Sequence, residues 1–188
     1  MFYSLFKKIF DFGISLLILV LFWWLFALIA LLIKLNSKGP AFLAQNRIGL
    51  DGREFTCFKF RTMHVGTKVA ATHEVSADSV TGIGRFLRKT KLDELPQVWN
   101  IIRNEMSFVG PRPCLPSQHE LINLRTQANI LKDLPGITGW AQVQGIDMSN
   151  PQRLVDTEAE YLLKRSITFD IRILFATFIG QGNGDRTH

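Results

Sequence analysis

Cysteine is scarce in this chain. Only Cys57 and Cys114 occur, with no Cys-x-x-Cys spacing, which excludes a disulfide framework and a thiolate zinc site and fits a reducing compartment. The four histidines, His64, His73, His119 and His188, are scattered without ligand spacing, so no histidine metal centre is expected. There is no internal repeat and no low-complexity block. Gly82-Ile-Gly84 begins like a dinucleotide fingerprint, but Leu87 stands where the third glycine would fall, and a Rossmann reading is excluded.

Negative charge also runs short. Lysine and arginine number 22 against 16 acidic residues, a formal charge of +6, which suits anionic partners such as nucleic acid, anionic lipid or nucleotide phosphates. Charge is absent altogether from residues 12–33, a run of 22 bounded by Asp11 and Lys34. At about 1.5 Å per residue, a helix of that length can cross a bilayer. The run is longer than a signal-peptide core and no small-x-small site follows it, so it reads as a retained anchor. Its flanks are both basic, Lys7 and Lys8 before it and Lys34, Lys38 and Arg47 after it, and both therefore look cytoplasmic. That favours a re-entrant helix over a crossing one. What the run lacks is an obvious break, because its midpoint is Trp23-Trp24, with neither proline nor glycine.

The expected fold class is α+β: a membrane-inserted helix over residues 1–36, then a compact, mostly helical catalytic domain over 37–188 with a small sheet and amphipathic interfacial helices. Residues 37–40 read as a linker, and 41–61 as two short strands about the turn Gly49-Leu-Asp-Gly52. Residues 65–81 read as a polar surface loop and the best candidate for a mobile lid. A short helix opens at Gly82 and carries Arg85 and Arg88 on one face. Thr90 is expected to cap the next helix, which places Asp93 in its first turn and runs to about Asn104. An amphipathic helix is expected over 116–132, with Arg125 off its apolar face. Residues 134–145 read as a binding loop with an exposed Trp140, followed by a short strand. Helices are expected over 151–164 and 169–179, the latter on the core or at the membrane interface, and the tail from Gly180 is expected to be disordered.

The chemistry concentrates in residues 90–113. Asp93 and Glu94 lie between a basic run, Arg85, Arg88, Lys89 and Lys91, and the rigid Pro111-Arg112-Pro113. Strand alternation puts Lys59 and Arg61 on one face and Phe60 on the other. Successive helical residues diverge by about 100°, so the two carboxylates can do different work, one attacking phosphorus or binding metal and the other taking a proton. A carboxylate among these cations could hold Mg²⁺ through oxygen ligands. Each signal alone has a plain alternative: an acidic pair on a solvated face, a charged edge strand, or an arginine in a turn. Together they point to phosphoryl transfer.

Lys59-Phe-Arg-Thr-Met63, Arg88-Lys-Thr-Lys-Leu-Asp-Glu-Leu-Pro-Gln97, Met106-Ser-Phe-Val-Gly-Pro-Arg-Pro113 and Pro135-Gly-Ile-Thr-Gly-Trp-Ala-Gln-Val143 resemble the bacterial sugar transferases, the monotopic phosphoglycosyl transferases. The resemblance implies transfer of a sugar phosphate from a UDP-sugar to a polyprenol (undecaprenyl) phosphate at the cytoplasmic face of the bacterial inner membrane, starting glycoconjugate assembly. It implies that Asp93 attacks the sugar-bearing phosphorus and releases UMP, with Mg²⁺ bridging Asp93 and the diphosphate, and that Glu94 handles the acceptor's proton. Lys59 and Arg88 would lie near phosphates, with Arg61 beside them as a further substrate-binding candidate, the Pro111-Arg112-Pro113 element would help hold the nucleotide, and Glu158 and Asp170 would be structural or supporting acids. Where the family often has a Ser-Pro break, this chain has Trp23-Trp24. Two other readings stand beside this one. In the first, the lipid phosphate attacks directly and Asp93 only binds metal. In the second, the chain is a membrane-anchored anion or nucleic-acid binding module, against which no RNA-binding aromatic signature is present; no nucleic-acid partner is expected.

Overall fold

The computed structural model describes residues 2–67 and 77–180. One helix, α1 (Phe2–Asn36), takes up the apolar run and its flanks. A straight helix of that length would extend about 50 Å, but α1 is bent at Phe22, whose φ of −116° and ψ of 15° leave the helical region. No proline or glycine marks this break. Beside it, the Trp24 indole Nε1 donates to the Leu21 carbonyl at 3.0 Å, which supplies that carbonyl with an internal partner where hydrocarbon offers none.

The kink lets both arms of α1 rest on the same domain. On the first arm, Asp11 and Ser15 are buried, the Ser107 hydroxyl donates to Asp11 at 2.6 Å, and Lys7 pairs with Asp170 at 2.7 Å. On the second, Ile29 and Ile33 join Ala41, Phe60 and Leu87 in one apolar cluster. Between the arms, Leu16, Leu17, Val20, Leu21, Trp23 and Trp24 are exposed.

Strands β1 (Phe42–Ile48) and β2 (Glu54–Phe60) form an antiparallel hairpin, with Leu43 opposite Lys59 and Arg47 opposite Phe55. Helix α2 (Gly82–Thr90) is capped by Thr81, whose hydroxyl accepts from the Gly84 N–H. A Cβ at Gly84 would lie 2.1 Å from the Thr62 carbonyl oxygen, so this glycine serves close backbone packing. Lys91, at φ 58°, stops α2 and starts a 3-10 turn over Leu92–Gln97 that leads into α3 (Val98–Ile102). Thr90 is therefore the last residue of α2 and does not cap the next helix; its hydroxyl donates back to the Phe86 carbonyl. Asn100 ties α3 to β2, accepting from the Phe58 N–H and donating to the Thr56 carbonyl.

Beyond α3, β3 (Ser107–Val109) pairs in parallel with β4 (Gly136–Thr138), so the small sheet is two separate pairs. The helix expected over 116–132 is shorter, α4 (His119–Gln127), because Asn129 turns left-handed before a 3-10 turn. It packs on the core through Leu121. Trp140 opens a short helix, α5 (Trp140–Val143), where a strand was expected after the loop. It is not an exposed loop residue: its ring packs against Phe169, tilted by 58° with centroids 5.0 Å apart, and its Nε1 donates to Glu160. Helices α6 (Pro151–Lys164) and α7 (Ile167–Phe178) complete the fold. In α7, Ile173 is buried while Ile171, Phe175 and Phe178 are exposed, so the helix has a core face and an outward apolar face. Of the expected lid, residues 68–76 lie outside the described residues, as does the tail from 181; the stem is closed by the bridge between Met63 and Val80.

Candidate active site

A cavity of about 990 Å³ opens between the β1–β2 hairpin, α2, the 3-10 turn and the segments around β3 and β4. Lys59, Arg61, Arg85, Arg88, Lys91, Asp93, Glu94 and Arg112 all contribute to its wall. Residues separated by up to 53 positions thus meet because the hairpin delivers Lys59 at the end of β2, the 3-10 turn presents the two carboxylates, and the proline-bounded segment presents Arg112.

The two carboxylates differ sharply in surroundings. Glu94 accepts from Lys59 Nζ at 2.8 Å and from Arg112 Nη2 at 3.3 Å. Burial would raise its carboxyl, but these two cations outweigh burial and hold it down at about 2. Among the described residues, no hydrogen bond or ion pair engages the Asp93 carboxylate. Burial and then the Glu94 charge push Asp93 up to about 6, against the pull of Lys59, Arg88 and Arg112. Desolvation and a like charge thus oppose the helical start at Asp93, and the carboxyl still ionises below neutral pH.

The remaining site residues separate into two groups. Arg88 stays at the cavity, its Nε donating to the Thr62 hydroxyl at 3.0 Å. Arg61 lines the cavity too, yet its guanidinium clasps the linker, donating to the Ser37 and Lys38 carbonyls and the Ser37 hydroxyl. Pro111 and Pro113 are buried and flank the half-buried Arg112. Glu158 also lines the cavity, in a bidentate pair with Arg125 at 2.6 and 2.8 Å. Burial pushes the Glu158 carboxyl up, and the Arg125 guanidinium pulls it down. Asp170 is not among the cavity residues. It accepts from Tyr3, Lys7 and Tyr161 and latches α1 to the domain.

Two residues were not singled out from the sequence. Arg47 donates to the Pro113 carbonyl at 3.1 Å, and Arg125, expected on a polar helix face, is 1% exposed. Nothing local marks either one, since their partners lie 66 and 33 residues away.

A sequence profile described as bacterial sugar transferase matches residues 2–182. The undecaprenyl-phosphate glucose phosphotransferase of Komagataeibacter xylinus is 39% identical over 184 residues, covering 91% of this chain and 35% of that protein. The UDP-glucose:undecaprenyl-phosphate glucose-1-phosphate transferase of Escherichia coli (strain K12) is 38% identical, over 92% of this chain and 39% of that protein. The exopolysaccharide production protein ExoY of Rhizobium meliloti (strain 1021) is 37% identical, over 91% of this chain and 83% of that protein. The chain thus spans little more than a third of the first two relatives and most of the third. With the motif residues gathered at one cavity and the profile covering nearly the whole sequence, this chain belongs to the bacterial sugar transferase family.

Proposed function

We propose that this chain transfers a sugar-1-phosphate from a UDP-sugar to a polyprenol phosphate through a covalent intermediate on Asp93. The observation that carries this reading is a carboxylate at a cavity wall, with no bonded partner among the described residues and with Lys59, Arg88 and Arg112 around it. Relatives named for glucose-1-phosphate transfer to undecaprenyl phosphate support the substrate class.

In the first step an Asp93 oxygen attacks the phosphorus that bears the sugar. The bond from that phosphorus to the bridging oxygen breaks, and UMP leaves with the electron pair. In the second, an oxygen of the polyprenol phosphate attacks the same phosphorus and the acyl-phosphate bond breaks, which restores Asp93. A covalent relay replaces one hard transfer with two easier ones. Lys59 and Arg112 bind the diphosphate by turning from Glu94 to its oxygens. Deprived of those cations, Glu94 is left with burial as its dominant influence, its proton affinity rises, and it becomes able to handle the acceptor's proton.

The donor set fits magnesium by shared ligation. Among the described residues, no three His, Cys, Asp or Glu side chains converge, and Mg²⁺ commonly takes one or two carboxylates and fills its shell with water and substrate phosphate. Asp93 would hold it; bound there, the ion would neutralise the diphosphate charge.

The same reading places the chain at the bacterial inner membrane as a monotopic protein, with the catalytic domain on the cytoplasmic face. Both arms of α1 pack on one domain and the apolar bend between them is exposed, which suits entry and return through a single leaflet. Single cysteines at the N-terminus and in the domain should then label from the same side, and labelling from opposite sides overturns re-entry.

The central test is UMP release from UDP-sugars in membranes carrying the protein. Asp93→Asn should abolish release, and a labelled phosphosugar should accumulate on the wild-type chain when acceptor is withheld. UMP release that survives Asp93→Asn excludes the covalent role.

A further inference from the structure

The Pro111-Arg112-Pro113 segment is gripped from two sides by strands that lie elsewhere in the chain. On one side is β4, where the Gly136 N–H donates to the Pro111 carbonyl at 2.8 Å. A Cβ at Gly136 would fall 2.1 Å from the Gly110 nitrogen, so the two backbones touch. On the other side is the end of β1. The Arg47 guanidinium donates through Nη1 to the Pro113 carbonyl at 3.1 Å, and the Ile48 N–H donates to the Cys114 carbonyl at 2.9 Å. Another bond steadies the Arg47 fork, from Nη2 to Gln45 Oε1 at 2.6 Å. Arg112 lies between the two grips, and its own Nη2 reaches Glu94 at 3.3 Å.

Proline carries no N–H, so the backbone of Pro111 and of Pro113 can be hydrogen-bonded only through the carbonyls. Both carbonyls are taken, the first by a main-chain donor and the second by a side chain. Arg47 is therefore the half of the grip that substitution can remove. The proline rings already restrict φ at 111 and 113, and fixing the carbonyls narrows the torsional freedom left around Arg112. A guanidinium suits this task because its planar fork presents donors in two fixed directions, here to Pro113 and to Gln45. An ammonium on a flexible stem is a single point and cannot hold both in register.

We propose that Arg47 is a positioning residue for the transfer reaction, holding the Pro113 carbonyl so that the Arg112 guanidinium is set beside Glu94 for the substrate diphosphate. The proposal rests on the phosphotransfer reading of the same site. Arg47 also lines the cavity, so the competing account is a cation that binds the diphosphate directly. The two differ in one respect: a brace acts only through Arg112, whereas a direct ligand adds its own contact whether or not Arg112 is there.

The test is a double-mutant cycle in membranes carrying the whole chain, combining Arg47→Met with Arg112→Ala and measuring UMP release from the UDP-sugar that the wild type uses best. Displacement of a positioned group by about 1 Å can cost on the order of 100-fold, so Arg47→Met should lower kcat/KM at least about tenfold, mainly through KM. In the Arg112→Ala background the same substitution should lower it less than about twofold, because coupled residues are non-additive. Equal fold losses in the two backgrounds identify a direct ligand and overturn the proposal, as does no loss in the first. Arg47→Lys keeps the charge and can bond only one of Pro113 and Gln45; it should show a smaller loss that again disappears with Arg112→Ala. That variant also carries the test should Arg47→Met fail to fold.

A second readout is independent of turnover. The Ile48 N–H donates to the carbonyl next along from the braced one, and its hydrogen exchange reports how often that end of the segment opens. Corrected for the changed neighbour, exchange at Ile48 should quicken several-fold in Arg47→Met, while the amides of α6 keep their protection. Unchanged exchange at Ile48 overturns the brace. A wild type that releases no UMP from any UDP-sugar counts against the phosphotransfer reading, and the exchange measurement then still decides whether Arg47 braces the segment.

Discussion

Glu94 and Glu158 are both glutamates paired with arginine at the same cavity, and their surroundings divide the work between them. The Glu94 side chain is 13% exposed and its cations, Lys59 and Arg112, are each 19% exposed, so a diphosphate can reach them and take Glu94's place. The Glu158 pair, in contrast, is closed off from water, and nothing in solution can compete for Arg125. A pair at the cavity wall is exchangeable and can take part in binding; the same pair under the wall is permanent and can only hold geometry. Access to solvent and substrate, more than the identity of the charges, separates the two roles.

The sharpest way to break this contrast is to remove one partner from each pair. Glu158→Ala leaves a buried, unpaired guanidinium, which costs about 3–5 kcal/mol; thermal unfolding in detergent should shift down by on the order of 10 °C for a chain of this size. Lys59→Met should lower kcat/KM on the order of 100-fold, as loss of one phosphate-stabilising group does, while unfolding moves less than in Glu158→Ala, because Arg112 remains beside Glu94 and the cavity leaves the carboxylate within reach of water. Similar unfolding shifts for the two variants would erase the distinction.

Proton linkage gives a smaller effect. Asp93 is raised to about 6 by burial first and then by Glu94, so its ionised form is disfavoured by the fold. Stability linked to Asp93 is therefore complete below its unfolded value and is lost as pH rises through 6. Activity runs the other way, since the nucleophile is the carboxylate: UMP release should fall about tenfold per unit as pH drops below about 6. Asp93→Asn should in consequence unfold at a higher temperature than wild type at about pH 7.5 and at about the same temperature at about pH 4. Glu94 has the opposite sign, contributing stability above its unfolded value that is lost as pH falls toward 2. An Asp93→Asn variant that unfolds at the wild-type temperature at both pH values would remove this linkage. Smallest of all is the response to salt. Raising ionic strength roughly tenfold, from about 0.05 to about 0.5 M, shortens the screening length about threefold; KM for the UDP-sugar should rise a few-fold, and the unfolding difference between Glu158→Ala and wild type should stay unchanged.

Much of the molecule was legible along the chain because the signals are local. The uncharged run of 22 residues, the hairpin about Gly49–Gly52, the helix over 151–164 and the stop at Pro40 each depend on residues a few positions apart. Asp93, Glu94, Lys59, Arg88 and Arg112 could be proposed together because their motifs occur in a recognisable order. Other features depended on distant partners. Arg125 looked like a polar residue on an amphipathic helix until α6 closed over it. Arg61 looked like a phosphate ligand until the linker carbonyls took its guanidinium. Asp170, expected as a structural or supporting acid, holds Tyr3 and Lys7, partners more than 160 residues away that the sequence could not name. Trp140 looked exposed until the tilted ring of Phe169 packed against it.

By itself the sequence determined that a helix long and apolar enough for a membrane would form at the N-terminal end, and that carboxylates would stand beside cations, because hydrophobic length and residue chemistry are properties of the local chain. Tertiary structure decided that both arms of the bent helix rest on one domain, because Asp11 and Lys7 meet Ser107 and Asp170 while Ile29 and Ile33 join Phe60 and Leu87, and that Asp93 stands without a bonded partner among the described residues while Glu94 takes two, because burial and ion pairing depend on which distant residues arrive at one cavity.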